Sequence, residues 1–193
     1  MKFTCKIALA IALLSFLGAA VGVQAQPQGQ STAQASPQAA AANKQFIESF
    51  EKRWSAAKDL AVAVAEAMPA ESYDFKPVPE EMSFSEQIRH IAQANYGKCA
   101  VIAEVKSPDP EAAEGAKIEK AAAVKDLAAS FDYCTKTLND FDAAKLFQMR
   151  VWGTGHFTPM DMMLGLMVHM AHHRGQAEVY LRAKGITPPK YKW

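Results

Sequence analysis

The amino-acid sequence predicts an all-α protein built as a four-helix bundle. Ala, Leu and Met are abundant while β-branched residues are sparse, a composition that favours helices over strands. Apolar residues recur at spacings of three and four in four segments, which Pro- and Gly-containing stretches separate. The chain has 193 residues, of which 50% are hydrophobic, so it can bury a sizeable core in one domain.

The charge balance excludes several classes of protein. Lys and Arg total 21, and Asp and Glu total 20. A chain this balanced is neither a nucleic-acid binder held by general electrostatic attraction nor an acidic disordered chain. The sequence also contains no P-loop, no GxGxxG dinucleotide motif and no GxSxG nucleophile motif.

The first 25 residues have the pattern of a secretory signal peptide. Lys2 and Lys6 precede an uncharged apolar run over residues 7–20, and small residues at 23 and 25 predict cleavage after Ala25. An uncleaved membrane anchor is the alternative, but the run is short and is interrupted by a serine and a glycine. We therefore expect a periplasmic or secreted protein with no stable membrane insertion after cleavage.

Residues 26–42 are predicted to form a disordered tether between the signal peptide and the folded domain. They contain no charged and no large apolar side chain, so they cannot bury enough surface to offset the entropy of ordering. The folded domain is then expected to span residues 43–193.

Helices 1 and 2 are predicted from capping signals and apolar periodicity. Helix 1 is expected to begin at Asn43 as N-cap and to end at Met68, before a proline. A proline-rich extended linker follows. Ser83 and Glu86 then form a capping box, and helix 2 is expected to run to about Val105.

The connection over residues 106–123 is long for a link between neighbouring helices. A connection of this length can cross the bundle and let helix 3, predicted over about Val124 to Leu138, run parallel to helix 2. Residues 139–157 are predicted to be irregular, with a short extended piece over Leu146 to Trp152. Helix 4 is expected to begin after Thr158 as N-cap and to end near Ala183, before a glycine.

Histidines concentrate on helices 2 and 4. His169 and His173 are four residues apart, so they point the same way from a helix and can share one metal ion. His90, from a facing helix, would complete a site of three nitrogen ligands with a position open for water or substrate. The alternative for His90 is an ordinary hydrogen-bonded histidine. His172 points in a different direction from His169, but sequence spacing alone does not exclude it as a ligand.

Two blocks of sequence resemble the DinB/YfiT-like superfamily. One is the stretch from His169 through His173, Arg-Gly-Gln and Gly185 in helix 4, and the other is the Ser83 cap with Phe-x-Glu-Gln-x-x-His90. The resemblance covers roughly residues 43–189 and implies a four-helix bundle with up-down-down-up topology. It also implies a divalent metal held by His90, His169 and His173.

Imidazole ligands suit zinc, nickel, copper and iron, and zinc or nickel is the ion that we expect. Gln176 is seven residues after His169 on the same face, and with the neighbouring Arg174 it is our candidate to support the ligands by hydrogen bonding.

Cys99 and Cys134 are expected to meet between helices 2 and 3. Each lies on the apolar stripe of its helix, and an exported protein is in an oxidising setting. A disulfide is therefore predicted, and two separate buried thiols are the alternative.

Three functions are compatible with the sequence. The first is a metal-dependent enzyme, either a hydrolase or a thiol S-transferase as in members of the resembling superfamily, acting on an unknown small molecule. Export argues against thiol transfer, since the thiol cofactors are chiefly cytosolic. The second is a non-catalytic metal-binding or stress-associated module, and the third is a helical interaction domain without metal. A homodimer is compatible with each of them, and no nucleic-acid partner is expected.

Overall fold

The computed structural model describes residues 36–108 and 118–191. The predicted signal peptide, residues 1–25, and the first part of the predicted tether, residues 26–35, lie outside the described residues. The described chain forms four α-helices and one small hairpin: α1 Pro37–Ala67, α2 Phe84–Ala103, α3 Lys120–Asn139, β1 Arg150–Trp152, β2 Gly155–Phe157 and α4 Pro159–Ala183. Within the described ranges no helix is both long enough and apolar enough to cross a membrane.

Helices α2 and α3 run parallel. Arg89 of α2 pairs with Asp126 of α3 at 3.3 Å, and Cys99 is bonded to Cys134 further along both helices. The residue numbers rise together along the two helices. The parallel direction of α2 and α3 agrees with the prediction made from the length of the connection between them.

Helices α1 and α3 run antiparallel. The indole of Trp54 packs against Phe131 with ring centroids 4.6 Å apart, and the ammonium of Lys120 donates to the carbonyl of Glu66 at 2.7 Å. Helix α4 is antiparallel to α2, as the histidine contacts below show. The four helices therefore have the expected up-down-down-up topology.

The first helix begins earlier than its sequence predicted. Ser36 is the N-cap, accepting from the amide of Ala39 at 3.2 Å, and Pro37 occupies the first helical position. The predicted cap, Asn43, is wrong: its side-chain amide is buried and donates to the carbonyl of Ala143. Alanine is the strongest helix former, so the alanine-rich end of the predicted tether extends α1 without burying apolar surface.

The caps of the site-bearing helices are confirmed. Ser83 and Glu86 form a capping box at the start of α2, and Thr158 and Asp161 form one at the start of α4. Gly185, just past the end of α4, has a φ of 74°, a left-handed conformation that glycine adopts without a steric penalty.

The segment before α4 contains a hairpin that the sequence predicted only in part. Of the extended piece expected over residues 146–152, only Arg150–Trp152 forms a strand, β1. It pairs antiparallel with β2, with Val151 opposite His156. Gly153 turns between the strands with a φ of 58°. Strands of three residues are too short to show an alternating pattern, so β2 was not foreseen.

The core between α2 and α3 contains a disulfide. Cys99 and Cys134 are fully buried, their Cα atoms are 5.4 Å apart, and their sulfur atoms are bonded. The bond joins the two parallel helices in the bundle interior.

Candidate metal centre

His90 is placed by the first turns of α2. The Ser83 hydroxyl accepts from the backbone N–H of Glu86 at 3.2 Å, and the Ser83 N–H donates to the Glu86 carboxylate at 2.6 Å. That backbone hydrogen bond is the main reason why the pKa of Glu86 is lowered. The carboxylate is thus used for capping and for an ion pair with Lys76, and it fixes where the helix that carries His90 begins.

His169 and His173 lie one turn apart on α4 and face α2. Their ring centroids are 4.5 Å apart, and the ring of His90 lies 4.9 Å from the first and 4.5 Å from the second. All three side chains are half-buried. The structure therefore brings together the three histidines predicted as ligands.

The nitrogen atoms converge at a spacing that suits one cation. His90 Nε2 and His169 Nε2 are 3.1 Å apart, and one candidate ligand atom from each of the three residues lies within 4.8 Å of the others. Two imidazole nitrogens bound to a tetrahedral zinc at about 2.0–2.1 Å would be separated by about 3.3–3.4 Å. Three histidines in this arrangement can hold a divalent metal ion.

The imidazoles are held in the form that binds metal. Burial lowers the pKa of His169 to about 4, helped by the positive charge of Lys98 and by the neighbouring histidines. Burial, with His90 and His172, also lowers the pKa of His173 to about 4, and burial lowers that of His90. Neutral imidazoles leave nitrogen lone pairs free at neutral pH, as metal ligation requires.

Gln87 supports the cluster, and the sequence analysis missed it. Its side chain is buried, and its Oε1 lies 2.7 Å from Nδ1 of His173. An amide oxygen only accepts, so Nδ1 carries the proton and Nε2 presents its lone pair to the cluster. The sequence feature that could have identified Gln87 is its position three residues before His90, on a similar side of α2.

Of the two residues predicted to support the ligands, Gln176 interacts with His173, and Arg174 pairs with a residue of its own helix. The guanidinium of Arg174 pairs with Glu178 at 3.5 Å and lies over the ring of Tyr191 at 5.5 Å. Gln176 is half-buried one turn beyond His173, and it raises the pKa of that histidine against the larger lowering effect of burial. Its Oε1 is buried without a hydrogen-bond partner in the described chain.

The other histidines stay outside the cluster. His172 is exposed, with its ring 4.9 Å from that of His173, and His156 is exposed on β2. Among the residues that the structure describes, the group of converging His, Cys, Asp and Glu side chains is limited to the three histidines. A cation bound there would therefore keep a coordination position free for another ligand.

Comparison with known proteins gives a consistent result. The family model of the DinB superfamily matches residues 53–177. A DinB-like protein from Bacillus cereus has a similar crystal structure, with a TM-score of 0.67, 16% identity, and coverage of 76% of this chain and 97% of that one. The DinB-like protein YjoA from Bacillus subtilis gives a TM-score of 0.60 at 20% identity, covering 77% and 97%. No curated protein matches the chain in sequence.

Proposed function

The chain belongs to the DinB superfamily, and from this membership and its histidine cluster we propose that it is a metal-dependent enzyme acting on a small molecule. His90, His169 and His173 would hold one divalent cation, with zinc or nickel the expected ion. The observation that carries the proposal is the incomplete ligand set. Three half-buried imidazoles converge, and no fourth protein ligand joins them within the described residues.

The chain's own residues prepare the site for a cation. The three imidazoles are neutral at neutral pH because burial disfavours their charged forms. Gln87 orients His173 from the facing helix. When bound, a divalent cation would supply Lewis acidity and would lower the pKa of a coordinated water or thiol.

We further propose that the protein acts outside the cytoplasm. The pattern of residues 1–25 supports this, and so does the disulfide between Cys99 and Cys134, since structural disulfides persist in oxidising compartments. An exported location favours hydrolysis over transfer of a cytosolic thiol, so a hydrolase is the preferred reaction class. The alternative is a non-catalytic metal-binding module, in which the ion only stabilises the bundle.

Two measurements test the proposal. Elemental analysis of the purified full chain should find close to one divalent metal per chain. The cobalt-substituted protein should then change its visible absorption spectrum when azide is added, because an exchangeable position is open. If azide leaves the spectrum of the metal-loaded protein unchanged, the non-catalytic module is favoured. A chain that retains no metal would overturn the proposal.

A further inference from the structure

Lys98 is a half-buried lysine of α2, eight residues after His90. Its positive charge contributes, after burial, to lowering the pKa of both His90 and His169, so its ammonium is within electrostatic range of the two rings. No carboxylate of the described chain forms an ion pair with it. A partly desolvated ammonium without a counter-ion is unfavourable, so this position is suited to an external anion.

The geometry of α2 turns Lys98 towards α4. Lys98 follows Gln87 by 11 positions, which at about 100° per residue places the two within about 20° of each other around the helix axis. Gln87 contacts His173 of α4. Side chains on a helix tilt towards its N-terminus, so the long Lys98 stem reaches back towards the level of the histidines.

Small residues follow His90 on the same side of α2, and the indole of Trp152 packs on the second of them. Ala94 and Gly97 follow His90 at one and two turns. The ring of Trp152 lies directly on Gly97, where an added Cβ would be 2.6 Å from Cη2 of the indole. The strip from His90 to Gly97 is about 10 Å long, the length of a small organic molecule.

We propose that Lys98 binds the anionic group of a small organic acid whose apolar part packs against Trp152 beside the histidine cluster. This inference rests on the proposed function, because it assigns a class of ligand to the same site. The indole is 37% exposed, so it offers an apolar surface that no other part of the described chain fully covers. The imidazoles, the ammonium and the indole would then each recognise a different part of one ligand.

Binding of matched probes tests the inference. Phenylacetate, hexanoate and phenylphosphonate are titrated calorimetrically into the metal-loaded full chain, with 2-phenylethanol as the uncharged counterpart of phenylacetate. At least one of the acids should bind. Lys98→Met should lower its affinity by roughly 10-fold or more, since a hydrogen bond to a charged group is lost. Lys98→Arg should retain binding within a few-fold, and binding of 2-phenylethanol should be weak and unaffected by Lys98→Met.

A control variant and the metal content make the outcome decisive. Lys125→Met removes an exposed lysine of α3 and should leave affinity unchanged. Trp152→Ala should weaken phenylacetate more than acetate. If no acid binds, or if Lys98→Met and Lys125→Met bind the acid with equal affinity, the inference is overturned. The metal content of each sample is measured in parallel: a chain without metal contradicts the proposed function, while binding of an acid that depends on Lys98 would still support the anion site.

Discussion

Gln87 of α2 holds the ring of His173 of α4, with 2.7 Å between Oε1 and Nδ1. The amide is buried, so water cannot readily replace this contact. The direction in which Nε2 of His173 points is therefore set by the facing helix as well as by its own. Packing of α2 against α4 thus contributes directly to the geometry of the histidine cluster.

Replacing this amide should weaken metal binding while leaving the ligands in place. We expect Gln87→Leu to lower the affinity for zinc by roughly 10- to 100-fold, as is common when a hydrogen-bond partner of a ligating histidine is lost. Competition with a chromogenic chelator measures this affinity. Gln93→Leu, at an exposed position of the same helix, is the matched control and should bind zinc normally. Equal affinity in the two variants would show that Gln87 has no such role.

Replacing one of the three histidines should weaken metal binding more than replacing Gln87 does. His90→Ala and His169→Ala should each lose most of the bound metal in elemental analysis. Added zinc should raise the melting temperature of the original chain, because an ion that binds only the folded state stabilises it by mass action, and it should no longer do so in these variants. His172→Ala removes an adjacent exposed imidazole and is the control. Unchanged metal content in both ligand variants would refute the assignment.

The convergence of the three histidines could be predicted from the sequence, but the contact between Gln87 and His173 could not. The spacing of His169 and His173 on one helix defines a shared direction, which is a local property. Adding His90 required the resemblance to a family, because it meets His169 from 79 residues away. Gln87 is 86 residues from the ring that it holds, and that pairing depends on the register of two packed helices. Spacing along one helix instead suggested Gln176.

Helix ends were predictable where side chains cap them and less so where propensity alone decides. The boxes at Ser83 and Thr158 fixed the first residues of α2 and α4. Helix α3 begins at Lys120 rather than Val124, and its N-cap residue makes no side-chain hydrogen bond to the helix. Without a capping side chain, such a boundary is set by helix propensity, which favours the alanines at the start of α3 by only a small free energy per residue.

Stability of the metal-free protein should fall as the pH drops from about 6.5 towards 4. His169 and His173 have their pKa lowered to about 4 in the folded state, chiefly by burial, whereas an unfolded histidine titrates near 6.5. Below pH 6.5 the unfolded chain therefore binds protons that the folded chain excludes, and unfolding becomes easier. Urea unfolding after chelation, at several pH values across this window, measures the slope.

The control for this slope is a variant that cannot take up the protons. The double variant His169→Gln/His173→Gln should lose stability less steeply between pH 6.5 and 4, since carboxylates elsewhere in the chain titrate equally in both proteins. Parallel curves for the two proteins would contradict the lowered pKa values.

Export can be checked on the chain itself. Expression with the native N-terminus in a bacterium with an oxidising periplasm should give a mature protein beginning at Gln26, as mass spectrometry of the periplasmic or secreted fraction would show. Replacing Ala25 with a bulky residue should impair cleavage and leave a longer chain. A full-length chain confined to the cytosol would exclude the proposed location.

The disulfide should account for a large share of the stability of the helical domain. Cys99 and Cys134 are 35 positions apart, and closing a loop of that size stabilises a fold by about 3–4 kcal/mol when its effect on the unfolded chain is counted. The double variant Cys99→Ala/Cys134→Ala should lose about that much free energy of unfolding in urea. Dithiothreitol should destabilise the original chain by a similar amount and leave the double variant unchanged. Because both sulfur atoms are fully buried, reductant should act mainly after unfolding, so the reduced protein is measured by refolding from urea. If reductant leaves the original chain as stable as before, the bond between α2 and α3 does not stabilise the bundle.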